Sequence, residues 1–156
     1  STLLLGSVGV AVSRHAPCPV VVIRPSNPGL VRHGVLVGAD ASERSRPVLE
    51  FAYRQASLRD LPLTVVHSGR DDQAGIELAE AVAGLAEKFP EVRSTTRLVP
   101  DSPADVLARE SRRMDLVVVG AHHRSTAGTI LHGSVTDAVV EHAECPVAVV
   151  PLAGNR

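Results

Sequence analysis

The chain has 156 residues, 44% apolar and 21% charged, a balance that suits one soluble domain with a good core and falls short of two. Its net charge of −1 leaves no electrostatic footprint for nucleic acid or an anionic membrane, and aromatics at 2% with no Trp provide no stacking platform for single strands. The apolar runs are strand-sized, the start Ser1–Val12 lacks the basic region of a signal peptide, and two Cys give no disulfide framework, so a cytoplasmic protein without membrane or nucleic-acid partners is expected.

The first element in chain order is half of a repeat. Aligned without a gap, Leu4–Val22 and Leu131–Val149 are identical at 12 of 19 positions, among them Gly6-Ser7 with Gly133-Ser134 and Cys18-Pro19 with Cys145-Pro146. Each copy reads Gly-Ser, an apolar helix-like stretch, then Cys-Pro and valines. The second copy closes a complete series of elements, whereas nothing upstream completes the first. Residues 1–25 are therefore expected to be the C-terminal helix and strand of a truncated first domain, 26–32 a linker, and 33–152 a complete second domain.

Within that domain, Gly34–Ala39 (GVLVGA) reads as a buried strand. A helix is predicted from about Arg44 to Leu58, with Pro47 tolerable only in its first turn. Leu61–His67 is the second strand, and Ser68–Asp72 a polar turn. Ile76–Phe89 carries Leu78, Val82 and Leu85 on one helical face, with Pro90 beyond its end. Val92–Val99 alternates as the third strand. Ser102-Pro103-Ala104-Asp105 has the form of a capping box with Pro at the first helical position, opening a helix that ends near Arg113. Leu116–Gly120 is the fourth strand, Ala121–His132 a loop, Gly133–His142 a helix and Pro146–Pro151 the fifth strand. Strands alternating with helices imply an α/β fold with an open, doubly wound parallel sheet in the order 3-2-1-4-5.

The crevice of such a sheet lies beyond the carboxyl ends of strands 1 and 4, where the winding reverses. Gly38-Ala39-Asp40, Ser42 and Ser45 follow strand 1, Gly120 ends strand 4, and Gly133-Ser134 opens the next helix. Free N–H groups at a helix start hold an anion, glycine lets a phosphate approach, and Asp40 offers acceptors for a ribose or an amino group. The structural alternative makes Gly120 and Gly133 turn residues and has Asp40 and Ser42 cap a helix. His67 lines the pocket or makes a core hydrogen bond on this reading. His122, His123 and His132 cluster beside Arg124, but no Cys or carboxylate nearby in sequence completes a metal site, so no protein-bound metal is expected. Walker A, Gly-x-Ser-x-Gly and His-Glu-x-x-His motifs are missing, and no base is placed to activate water, which argues against an enzyme.

The segments Val37–Ser45 (VGADASERS), Thr64–His67 (TVVH), Asp115–Gly120 (DLVVVG), Gly133-Ser134-Val135 and Cys145–Pro151 (CPVAVVP) together resemble the universal stress protein family. The resemblance covers residues 33–151, and residues 3–25 look like the same family's C-terminal unit, which implies a tandem parent. It implies a non-enzymatic stress-response regulator that binds an adenine nucleotide: ATP, with Mg as counter-ion. The implied adenosine contacts are Asp40 and the turn after His67, at Ser68. The implied phosphate contacts are Gly120, Gly133, Ser134 and Val135. Nucleotide-binding members carry Gly-x-x-Gly, nine residues, then Gly-Ser/Thr; here His123 stands where the second Gly belongs, and Ala41 replaces a common Gly after the aspartate. A ring at position 123 narrows the phosphate channel or, when protonated, contacts a phosphate itself. The alternative is therefore a domain that has lost nucleotide binding and serves as a dimerisation or interaction module.

Family members commonly pair their fifth strands, which points to a homo-oligomer or an intramolecular domain pairing through strand 5. Geometry selects the direction. Three strand spacings, about 14 Å, separate a tail beside strand 5 from strand 1. The nine residues Pro25–His33 reach roughly 30 Å, which leaves slack for an antiparallel tail. A parallel tail adds a strand length of about 17–20 Å and a detour. An additional antiparallel edge strand from the N-terminal tail is therefore expected, with Cys18 and Cys145 at opposite ends of the pair and out of disulfide reach.

Overall fold

A computed structural model describes residues 6–25, 28–69, 71–121 and 135–154. The apolar runs form the sheet. Strand β1 is Val20–Val22, β2 Val35–Gly38, β3 Leu63–Ser68, β4 Ser94–Val99, β5 Leu116–Ala121 and β6 Val147–Pro151. β-branched valines dominate the central four, as expected for parallel strands covered on both faces. The order is β1-β6-β5-β2-β3-β4, so β2 to β6 have the expected doubly wound arrangement with β1 added at one edge. All pairs are parallel except β1 with β6, which is antiparallel in the register Val20↔Val149, Val21↔Ala148 and Val22↔Val147. Cys18 is exposed, Cys145 is buried, and both are free thiols.

Helices α1 (Ser7–His15), α2 (Arg46–Arg59), α3 (Asp72–Lys88), α4 (Pro103–Glu110) and α5 (Val135–His142) flank the sheet. The two-residue alternation of a strand splits the core into two layers. Val35, Val37, Leu116, Val118, Ala148 and Val150 pack with Val48, Leu49, Ala52 and Tyr53 of α2. Leu36, Val117, Val119, Val147 and Val149 pack with Val106 and Leu107 of α4 and Val139 and Val140 of α5. One connection depends on glycine. Gly34 has φ +115°, and a Cβ there would stand 2.3 Å from the Pro62 carbonyl oxygen, so no side chain fits where the linker enters β2.

Several local expectations need correction. Helix α3 starts at Asp72, four residues before Ile76, because Asp71 caps it by accepting the Gln73 N–H at 3.0 Å. β4 does not alternate: Thr95 to Leu98 are all exposed, since this strand is the margin of the sheet. Ser102 and Pro103 do begin α4, but the serine side chain makes no capping bond. A 3-10 turn over Glu43–Ser45 precedes α2, and neither Ser42 nor Ser45 caps through its side chain.

The two copies of the repeat meet different surroundings. Val139, Ala148 and Val150 are buried, whereas their counterparts Val12, Val21 and Ile23 are exposed. The tail is held by the β1–β6 ladder and by an Arg14–Asp137 ion pair of 2.6 Å linking α1 to α5.

Candidate functional site

Strands β2 and β5 lie side by side in parallel, and the chain leaves them in opposite directions: β2 leads through α2 to β3, and β5 through α5 to β6. Their carboxyl ends therefore open a crevice. A cavity of about 120 Å³ occupies it, lined by Gly38 of β2, Ala39 and Asp40 just after it, His67 and Ser68 of β3, Gly120 of β5, and Val135 and Thr136 at the start of α5. Four residues singled out from sequence, Asp40, Ser68, Gly120 and Val135, meet at this one cavity. The other three, His123, Gly133 and Ser134, lie outside the described residues, as do His122 and His132. Among the described residues no group of three or more His, Cys, Asp or Glu is placed to hold a metal ion.

Asp40 organises the turn rather than a helix cap. Its Oδ1 accepts the Ser42 N–H at 2.9 Å, the Ser42 hydroxyl at 2.5 Å and the Ser45 hydroxyl at 2.5 Å. Three donors converging on one oxygen fix the carboxylate at the mouth of β2. His67 ties the floor together: its Nδ1 lies 3.1 Å from the Ala39 carbonyl oxygen, while the Ala39 N–H donates to Val66 at 3.1 Å. The imidazole thus both lines the cavity and makes a core hydrogen bond. On the opposite wall the Thr136 hydroxyl donates to the Gly120 carbonyl, binding the first turn of α5 to the end of β5.

The two strand-end glycines are set by packing. A Cβ on Gly38 would stand 2.6 Å from Leu107 Cδ1, and one on Gly120 2.8 Å from Leu152 Cδ2 and 3.3 Å from Val48 Cγ2. At position 120 a side chain would have to displace Leu152 and press on Val48, so the glycine has a packing role irrespective of any ligand. Sequence reasoning passed over Thr136, Pro103, Leu107, Val48 and Leu152 as site residues. Thr136 had a readable signal, a hydroxyl in the first helical turn after Gly133-Ser134; the apolar four had none.

No helix among the described residues is long and apolar enough to cross a membrane. Residues 68–151 match the sequence profile of the universal stress protein family. The universal stress protein Rv2623 of Mycobacterium tuberculosis (strain ATCC 25618 / H37Rv) is 37% identical over 164 residues, covering 94% of this chain and 55% of the relative. Universal stress protein Rv2005c of the same strain is also 37% identical, covering 94% of this chain and 56% of its own length. The chain thus spans about half the length of the curated relatives it matches. A solved universal stress protein in complex with cAMP superposes with a TM-score of 0.62 at 26% identity, covering 79% of this chain and 99% of that one. A universal stress protein from Archaeoglobus fulgidus DSM 4304 shares the fold, with a TM-score of 0.66 at 22% identity over 92% of this chain and 53% of that one.

Proposed function

The chain belongs to the universal stress protein family, and from that membership we propose that it is a non-enzymatic regulatory protein binding an adenine nucleotide, ATP with Mg, at the carboxyl ends of β2 and β5. The observation that carries this reading is the cavity at the winding reversal, where Asp40, Ser68, Gly120 and Val135 converge from four separate elements. The relative solved with cAMP supports an adenine nucleotide as the class of ligand. Asp40 takes the ribose or an amino group, Ser68 the base, and Gly120, Gly133, Ser134 and Val135 the phosphates. At about 120 Å³ the cavity is smaller than the roughly 300–1,000 Å³ of a whole small-molecule site, so a nucleotide would extend beyond it. In this reading residues 1–25 are the end of a preceding domain of the same kind, 26–32 a linker and 33–152 the binding domain. The exposed Val12, Val21 and Ile23 of the tail, whose repeat counterparts are buried, support that division. The β1–β6 ladder is then the pairing edge between domains or copies in a cytoplasmic protein.

Calorimetric titration of ATP and Mg into the chain tests the proposal. One hydrogen bond to a charged group is worth about 1.5–3 kcal/mol, so Ser134→Ala should weaken ATP roughly tenfold to a hundredfold. His123→Gly should strengthen binding by widening the channel; weaker binding would identify the imidazole as a phosphate ligand. Unchanged affinity in both variants removes this site. No heat and no bound nucleotide in the parent chain would favour the interaction-module reading, which the loss of the glycine at position 123 suggests.

A further inference from the structure

The tail reaches the first turn of the helix that closes the cavity. Val135 and Thr136 of α5 line the cavity, and the Thr136 hydroxyl donates to the Gly120 carbonyl oxygen. Asp137 comes next, an acid in the first turn of α5. It lies two residues beyond Val135, about 3 Å along a helix axis, and helical side chains lean toward the N-terminus. An acid so placed competes with an anionic ligand for the positive end of the helix. Arg14 of α1 answers that charge from 123 residues away in sequence: Nη2 donates to Asp137 Oδ2 at 2.6 Å and Nε to Oδ1 at 3.3 Å. Each carboxylate oxygen takes one donor of the guanidinium fork, which holds the two charges together.

The bridge is one-sided. In the β1–β6 ladder Val21 faces Ala148, and these two are counterparts in the repeat, so the antiparallel pairing relates the two copies by an approximate two-fold axis through that pair. A symmetric contact would therefore occur twice. The counterpart of Arg14 is Glu141 and that of Asp137 is Val10, so the second bridge cannot form. The arginine thus serves the α5 end of the pair, where the cavity lies.

We propose that Arg14 is a positioning residue for the nucleotide phosphates: the tail supplies the charge that neutralises Asp137 and so keeps the first turn of α5 open to an anion. This rests on the nucleotide-binding reading of the same cavity. It makes the tail a regulator of the site, since whatever draws α1 away from α5 leaves the Asp137 charge uncompensated beside the phosphates.

The test is titration of ATP with Mg, and separately of adenosine, into the full chain and into Arg14→Met, Arg14→Lys, Asp137→Asn and the Arg14→Met/Asp137→Asn double variant. Both side chains reach solvent, 46% and 32% exposed, and exposed pairs contribute little to stability, so the variants should fold. A unit charge within a turn of the phosphates should change ATP affinity roughly threefold to tenfold at low salt. Arg14→Met should lose that factor and Asp137→Asn gain it, while the double variant returns to the parent and Arg14→Lys stays near it. Adenosine, which has no phosphate, should bind the parent and every variant alike. The ATP differences should fade near about 1 M salt, where the screening length is about 3 Å. An Arg14→Met loss that persists in the double variant or at high salt, or that adenosine shares, overturns the inference, because α1 then acts by packing or by direct contact. Equal ATP affinity across the variants also overturns it and leaves the cavity reading intact. Failure of the parent to bind ATP overturns the cavity reading, and the inference with it. Should Arg14→Met fail to fold, Asp137→Asn decides: tighter ATP binding at low salt supports the assignment, and unchanged binding overturns it.

Discussion

Gly38→Ala measures how tightly the floor of the cavity is built. Gly38 ends β2, and the three atoms nearest a Cβ there all belong to Leu107: Cδ1 at 2.6 Å, Cδ2 at 3.6 Å and Cγ at 3.7 Å. Comfortable carbon contacts lie at about 3.5–4.0 Å, so the new methyl overlaps by roughly 1 Å. Leu107 is fully buried and cannot swing into solvent. Overpacking of this kind costs about 1–3 kcal/mol. For a chain of this size each kcal/mol moves the melting temperature by about 2–4 °C, giving a fall of roughly 2–12 °C. Leu107→Ala alone leaves a hole and costs about 2–5 kcal/mol. In the double variant the methyl meets no branch and fills part of the hole. That variant should be more stable than the sum of the singles by at least about 1 kcal/mol, against the roughly 0.3–0.5 kcal/mol scatter of independent sites. Urea unfolding followed by circular dichroism, with unchanged m-values, gives all four stabilities. Additivity within that scatter would refute the contact as the reason for glycine.

Burial pushes the Cys145 thiol from 9.0 up to about 12, so between these values the unfolded chain sheds a proton that the folded chain keeps. Its contribution is therefore full below about pH 9 and declines by roughly 1.4 kcal/mol per pH unit above it; the parent's urea midpoint should fall relative to that of Cys145→Ala over this range, and a parallel decline would dismiss the thiol as the cause. Tyr53 is fully buried and its hydroxyl donates to Ser94 Oγ at 2.8 Å, so Tyr53→Phe should cost about 1 kcal/mol in the same assay; a loss above about 3 kcal/mol would mean that ring packing rather than the bond had been disturbed. Arg24 is buried with Nε and Nη2 unpartnered among the described residues, so Arg24→Met should raise the melting temperature by several degrees, and a drop would show that the guanidinium has an acceptor in solution.

The fold was legible because its physics is local and repetitive. Buried parallel strands need continuous β-branched runs, and Val35–Gly38, Leu116–Ala121 and Val147–Pro151 are such runs. The antiparallel tail followed from linker length, a geometric constraint that needs no side-chain detail. The misplaced boundary at α3 and the patterning of β4 have different causes. Asp71 and Asp72 look like any polar turn until the Asp71 cap on Gln73 is seen, and the exposure of Thr95–Leu98 depends on β4 having no outer neighbour.

The cavity was legible only where its lining stands at the end of an element. Asp40, Ser68, Gly120 and Val135 stand at strand or helix ends, which a doubly wound sheet gathers at one crevice whatever the loops contain. The remaining wall comes from residues whose role is positional. Leu107 reaches the cavity because Gly38 lacks a side chain, and Leu152 because Gly120 does, so each glycine and its leucine form a pair far apart in sequence. A glycine beside a strand end therefore carries two meanings, room for a ligand or room for a core side chain. The direction of its missing Cβ separates them. At Gly38 and Gly120 that direction points into leucine, so both glycines make room for a core side chain.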